Sequence, residues 1–389
     1  MGYIVINNAY SILATGLTAT DTSIVVQPGH GARFNIGTDY TYATLENSNG
    51  AIEIVKVIAR SGDTLTVVRG QDGTGPVTWN AGDVIEVRPC RAALNDLIAA
   101  AIDRNGRAIF GYGFNGSYLS MTNFVSNTGV VSTDTTGVGT ARRALAAAGY
   151  GGDKAIFGYG FNGGYLSMTN LVSSTGVVSA DITGVGTARY GLAAAGYGGD
   201  KAIFGYGNNV SYVSMTNLVS NAGVVSTDTT GVGTARDYLA AASYGSHNAI
   251  FGYGSSGSYV SITNLVSNTG VVATDTAGVG TGRSGLAAAR YGGDKAIFGY
   301  GNIGGGNFLS ITNLVSNTGV VSADITGVGT ARWGLAATGY GGDKAIFGYG
   351  STSGHLSMTN LVSDTGVVSA DIAGVGTARN FLAAAGYGG

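Results

Sequence analysis

The sequence predicts an all-β protein. It should contain a small N-terminal β domain, a short helix, and a six-bladed β-propeller of 47-residue, four-stranded repeats closed by the C-terminal strand. Three observations predict it. The hexapeptide AIFGYG begins at Ala108, Ala155, Ala202, Ala249, Ala296 and Ala345, a period of 47 residues four times and 49 once, where Asn302 to Phe308 gains two residues. A period in this range marks stacked or ring-closed units, each burying its apolar face against its neighbours. Within a repeat, four short runs lie between Gly, Ser, Thr, Asn and Asp, with no capped helical period, which is the pattern of strands. Finally, the two ends of the array are in complementary phase.

Residues 1–90 form the front β domain. Tyr3 to Ile6, Ser23 to Val26, Tyr40 to Glu46, Ala51 to Ala59, Thr64 to Val68 and Asp83 to Val87 are rich in β-branched and aromatic residues. Asn49-Gly50 and Ser61-Gly62-Asp63 mark two hairpins, so the expectation is a meander or small barrel. The run from Asp39 to Thr74, followed by WNAGDVIEVRP, together with LTATDTSIVV before it and AALNDL after it, resembles the N-terminal region of bacteriophage tail fibre and tail proteins. The similarity covers most of residues 17–97. It implies a virion structural protein whose front domain attaches to phage tail or baseplate proteins, commonly as a homotrimer.

Residues 91–106 are a helix and linker. Leu94, Leu97, Ile98 and Ala101 form a narrow apolar stripe within Arg91 to Asp103. A helix this short does not stand alone, so it either packs on its own domain or bundles with two copies on a trimer axis. The tail fibre resemblance favours the bundle. Asp103 to Gly106 reads as the joint.

Residues 107–389 are the repeat array. In the second repeat the runs are a middle strand (Ala155 to Tyr159), a third strand (Leu166 to Val172), an outer strand (Val177 to Ile182) and an inner strand (Leu192 to Tyr197). Gly-Tyr-Gly-Gly-Asp-Lys joins each inner strand to the next middle strand as a tight hairpin. The last inner strand, Leu382 to Tyr387, has no partner after it, and the first middle strand, Ala108 to Tyr112, has none before it. Pairing them would close the array and remove two exposed edges. Leu-Ala-Ala-Ala suits strands that converge on an axis, where only small side chains fit. AIFGYG, the following two strands and GTAR with LAAA two residues later resemble the Kelch repeat of galactose-oxidase-like propellers over Arg107 to Gly389. The pattern departs from Kelch, with Gly-Tyr-Gly for a double glycine and with Leu171 and Val178 for Tyr and Trp. The resemblance implies the architecture and carries no Kelch function.

Composition narrows the function. Charged residues are 11% of the chain and the net charge is -2, which points to neither nucleic acid nor an anionic membrane as a partner. There is one cysteine, Cys90, hence no intrachain disulfide. No run of about 18 apolar residues exists, and the N-terminus lacks the pattern of a signal peptide, so the expectation is a soluble protein made in the host cytoplasm and destined for the virion, with no membrane insertion. No cofactor is implied. His30, His247 and His355 are far apart in the repeat frame, and the array has no cysteine for a copper oxidase site. Glycan hydrolysis needs two converging carboxylates. The array has no glutamate, since Glu46, Glu53 and Glu86 are all in front of it, and Asp134, Asp181, Asp228, Asp275, Asp324 and Asp371 recur at one repeat position. Recurrence in every repeat suggests a structural role, as it does for Arg142, Arg189, Arg236, Arg283, Arg332 and Arg379, which could pair with those aspartates. Ser179 to Asp181 and its equivalents are no Asp box, and Gly184-Val185-Gly186 is a turn without a following helix.

What the repeats do not share is more informative. The middle-to-third loop varies, with Phe114-Asn115, Phe161-Asn162 and Asn208-Asn209 at equivalent places. The pair after the repeated Arg varies too: Arg143-Ala144, Tyr190-Gly191, Asp237-Tyr238, Ser284-Gly285, Trp333-Gly334 and Asn380-Phe381. Both connections should emerge on one face, and the nearly uniform turns on the other. Tyr, Trp, Asn, Asp and Ser are the vocabulary of adaptable recognition surfaces. The expectation is therefore a phage tail fibre or tail-tip adhesin that binds a host cell-surface glycan or protein receptor. Trp333, exposed, and Tyr190 would be stacking anchors, Tyr238 and Phe381 would lie beside them, and Asp237, Asn380 and Arg143 would give polar contacts. Two alternatives stand beside it: a glycan-cleaving tail enzyme using Asp237 and Asp364, which this frame puts on opposite faces, and a purely structural spacer.

Overall fold

The computed structural model describes residues 3, 4, 6, 9–96 and 106–388. The chain divides into two compact units, Met1–Ile102 and Asp103–Gly389.

The front unit is one antiparallel six-stranded sheet in the order Tyr10–Ile12, Val84–Glu86, Thr41–Glu46, Ile52–Ser61, Thr64–Gln71, Ser23–Val25. An isolated bridge between Leu13 and Val26 brings its two edges together. Tyr3 makes only a parallel bridge to Tyr40. Ile24, Leu45, Val55, Val57, Leu65 and Ile85 fill the core. Glu53 is fully buried there, held by Arg69 through two bonds of 2.7 Å and by the Trp79 Nε1–H at 2.8 Å. Residues 91–96 are helical, and Ala93 packs against Tyr42 and Ile54 of the same unit while Leu94 is exposed. Leu97, Ile98 and Ala101 of the expected stripe lie outside the described residues.

The repeat region is six three-stranded antiparallel sheets. In one of them Ala146–Tyr150 pairs with Lys154–Phe161, which pairs with Tyr165–Val172. The expected fourth strand is reduced to two isolated bridges, Val172 with Val178 and Thr169 with Ile182. The Leu171 N–H donates to the Ser179 hydroxyl at 2.9 Å, where a ladder would offer a carbonyl, yet the fourth repeat, with Ala273 in place of that serine, has the same two bridges.

Five of the six middle strands bulge at Gly-Tyr-Gly, and the fourth, Asn248–Gly252, ends at the first of those glycines. The register shifts between Gly158 and Gly160, and Tyr159 between them takes a left-handed φ of 63°. Its ring is thereby turned out of the sheet into the junction with the next repeat, 5.2 Å from Phe204. Gly158 makes that approach possible, because a Cβ there would sit 2.7 Å from Cζ of Phe204. The same contact joins the last repeat to the first, with Gly348 and Tyr349 against Phe110. The final strand, Ala383–Tyr387, pairs with the first, Arg107–Phe114, in the register Ala383 to Gly111 and Tyr387 to Arg107. Ala and Leu of the inner strands, with Ile and Phe of the middle ones, form a separate apolar cluster at each junction.

Candidate functional site

The repeated Arg builds the variable face. Arg142 is fully buried, with Nε donating to the Tyr159 carbonyl at 2.8 Å, Nη2 to Asn170 Oδ1 at 2.7 Å and Nη1 to the Thr140 carbonyl at 3.0 Å. Its guanidinium lies 4.2 Å over the Tyr112 ring. The carboxylate it approaches, at 4.0 Å, is Asp181 of the next repeat. Asp181 is bonded more closely by Thr140, from Oγ1 at 2.6 Å and from the backbone at 3.0 Å. Arg and Asp thus stitch neighbouring repeats together. Thr377 to Asp134 and Arg379 to Tyr112 and Asn123 do the same between last and first.

The residues after each Arg are placed by backbone bonds. The first of the pair forms a two-bond bridge with the residue that begins the next repeat's loop: Arg143 with Phe161, Tyr190 with Asn208, Asp237 with Ser255, Ser284 with Asn302, Trp333 with Ser351 and Asn380 with Phe114. The two variable places are therefore one site. The second of each pair takes part in a closed hydrogen-bonded circle: Ala144 donates to Phe381, Gly191 to Ala144, Tyr238 to Gly191, Gly285 to Tyr238, Gly334 to Gly285 and Phe381 to Gly334, at 2.6 to 2.8 Å. All six have left-handed φ, between 48° and 64°, which glycine adopts freely and Ala144, Tyr238 and Phe381 adopt under strain.

This framework gathers the predicted aromatics into one belt. Tyr190 is 5.8 Å from Tyr238, Tyr238 is 5.3 Å from Phe381, and Phe381 meets Trp333 edge-on at 4.9 Å. Phe161 packs against Tyr190 at 5.7 Å, and Arg143 lies 4.7 Å over Phe114. Three expectations are corrected. Trp333 is half-buried, because its ring lies over Gly285 and parallel to Phe308. Asp237 and Asn380 are almost wholly buried, 5% and 6% exposed, since both side chains fold over a glycine of the circle, Gly191 and Gly334. The exposed rings are others: Tyr165, stacked on Tyr190 at 5.7 Å and 10°, with Tyr212 and Tyr259. They belong to an aromatic position opening every third strand, Tyr118, Tyr165, Tyr212, Tyr259, Phe308 and His355, which the sequence carries in all six repeats and which a search for differences passes over. Asn115 is exposed, Asn162 and Asn209 are half-exposed, and Asn208 donates to Asp237 at 3.4 Å.

Burial pushes the Asp237 carboxyl up to about 6, with the Asn208 bond a smaller opposing effect. The Asn380 amide oxygen and the His355 Nδ1 are buried without a partner. The face thus offers flat rings, amides and one acid, which suits stacking and hydrogen bonding to a ring-shaped polar ligand. Asp364 does not join it, for its carbonyl abuts Gly292 in an inner-to-middle turn, while Asp237 is bridged at the loop end. Among the described residues no group of three or more His, Cys, Asp or Glu could hold a metal ion. Compared with protein-family models and with curated proteins, the chain has no match.

Proposed function

We propose that the repeat region is a six-bladed, Kelch-like β-propeller, and that the protein is a phage tail fibre adhesin whose loop face binds a host cell-surface receptor, a glycan in the first instance. The front unit attaches the fibre to tail or baseplate proteins, and the chain acts as a homotrimer in the virion. The observation that carries the reading is the joining of both variable places into one aromatic belt. A uniform scaffold repeated six times differs from copy to copy chiefly where its side chains reach a common surface. Tyr165, exposed and stacked on Tyr190, is one platform, and Tyr238 with Phe381 borders the central opening. A single such contact is weak, and three tethered copies raise apparent affinity by about 100-fold or more if the receptors are suitably spaced. A glycan array probed with the full chain tests this. Binding of a defined glycan class that is lost in Tyr165→Ala and Tyr190→Ala is the expected result. Binding that is indifferent to both overturns the assignment of the face.

A further inference from the structure

The opposite mouth of the central cavity differs from the loop face. The six inner strands enclose about 290 Å³ there, bounded by the inner-to-middle turns. Its wall is mostly Ala and Gly, and among the described residues the cationic or imidazole side chains lining it are Lys154, Lys201, His247 and Arg290, with no Asp or Glu. A second closed circle of backbone bonds runs around this mouth, from Gly151 to Asp200 through Gly388 to Asp153, at 2.6 to 2.8 Å.

The departures from the repeat gather on three consecutive inner strands. Where four repeats have Gly149, Gly196, Gly339 and Gly386, the remaining two have Ser243 and Arg290. Thr338 replaces an alanine, and Gly-Gly-Asp-Lys becomes Gly245-Ser246-His247-Asn248, which removes one carboxylate and one lysine from the rim and brings in an imidazole. Three of these side chains lean towards the preceding repeat, while the Thr338 hydroxyl lies towards Gly386 of the following one. Ser243 Oγ overlies Gly196, the His247 ring overlies Gly199, and Arg290 Nη2 donates to the carbonyls of Gly293 and Gly245. Among the described residues both bonds of the guanidinium use Nη2, which leaves Nε and Nη1 to meet a ligand. Of the nearby carboxylates, Asp153 and Asp200 pair with Lys154 and Lys201 at 3.2 and 2.7 Å, and Asp294, whose charge also acts on Arg290, accepts from Asn317 at 3.1 Å.

We infer that this mouth binds a small oxyanion, phosphate or carboxylate, through Arg290, His247 and the hydroxyl of Ser243. A planar guanidinium with two donors in hand matches an oxyanion bidentately, and a hydroxyl with an imidazole completes the shell. The ligand is small because the wall around it is Ala and Gly, with nothing further out for a larger polar group to meet.

The test uses the full chain at constant ionic strength. Inorganic phosphate and, separately, citrate are titrated while the ring protons of the three histidines are followed by NMR, so that His30 and His355 serve as internal controls. A saturable shift confined to His247 is expected, and the probe that produces it tells phosphate from carboxylate. Arg290→Gly restores the residue of four other repeats, so it should keep the melting temperature and weaken binding by about tenfold or more. No saturable shift with either probe, or equal affinity in Arg290→Gly, overturns the site. Because the loop face is untouched, glycan binding and oxyanion binding stand or fall separately.

Discussion

Asp237 and the repeated arginines are both buried charges, and their environments give them opposite consequences. Asp237 has no cation beside it, and burial lifts its carboxyl from 3.8 to about 6. The native state then holds a proton that the unfolded chain has released, so stability falls as pH rises from about 4 to 6 and stays lower above that. Asp237→Asn should raise the melting temperature at pH 7.5 and leave it unchanged at pH 3.5, as scanning calorimetry would register. Asp134 and its equivalents behave in the reverse sense. Burial raises their pKa, but the bonds from Thr377 and Asn123 outweigh it and hold the carboxyl below 3.8, so their contribution is lost as pH falls through that range. Arg379 is the clearest case of a buried cation made tolerable by neighbours, since three of its nitrogens donate and its face lies on Tyr349. Replacing it with Ala strands the Asn123 amide oxygen and the Tyr112 carbonyl. Urea unfolding should show a loss of about 3 kcal/mol or more.

At the level of elements, the Gly-Tyr-Gly bulge and the circle of left-handed residues do related work. Each spends backbone strain to aim a ring at the neighbouring repeat. The circle also decides which substitutions the face tolerates. Gly285 has φ 60°, and a Cβ there would stand 3.0 Å from Cε3 of Trp333. Gly285→Ala should therefore lower stability by about 1 to 2 kcal/mol and displace the indole. Trp333 is one of two tryptophans, and Trp79 is in the core of the front unit, so a change in tryptophan emission reports this displacement directly. An unchanged spectrum would mean that Trp333 does not rest on Gly285. Trp333→Ala is expected to cost stability as well as binding, because the ring is packed against Phe381 and Phe308.

For the whole molecule, closure is the controlling feature. The last strand pairs with the first, Gly388 donates to the Asp153 carbonyl, and Phe381 donates to Gly334, so the same residues complete the sheet and both circles. Deleting residues 380–389 exposes the edge of Arg107–Phe114 and opens both circles at once. The melting temperature should drop far more than for trimming a frayed end, and a truncated chain as stable as the intact one would refute closure. The front unit should keep its own transition, since Arg69 and Trp79 bond Glu53 within that unit.

The repeat period, the middle and third strands, the pairing of the chain's last strand with its first, and the two variable places were all legible in the sequence, because turn chemistry and apolar alternation act over a few residues. The front unit's strands were mostly legible for the same reason, although Tyr10–Ile12 is too short to leave a pattern. Only the tertiary structure decided the rest. Whether Trp333 is exposed depends on Gly285 and Phe308, in other repeats, and the burial of Asp237 and Asn380 depends on glycines one repeat earlier. The fourth strand is reduced to bridges in every repeat, including the one with Ala273 in place of the serine, a choice that local propensity does not encode. Partners brought together by ring geometry are separated by whole repeats in the chain, and no pattern read along it registers which side chain will cover which.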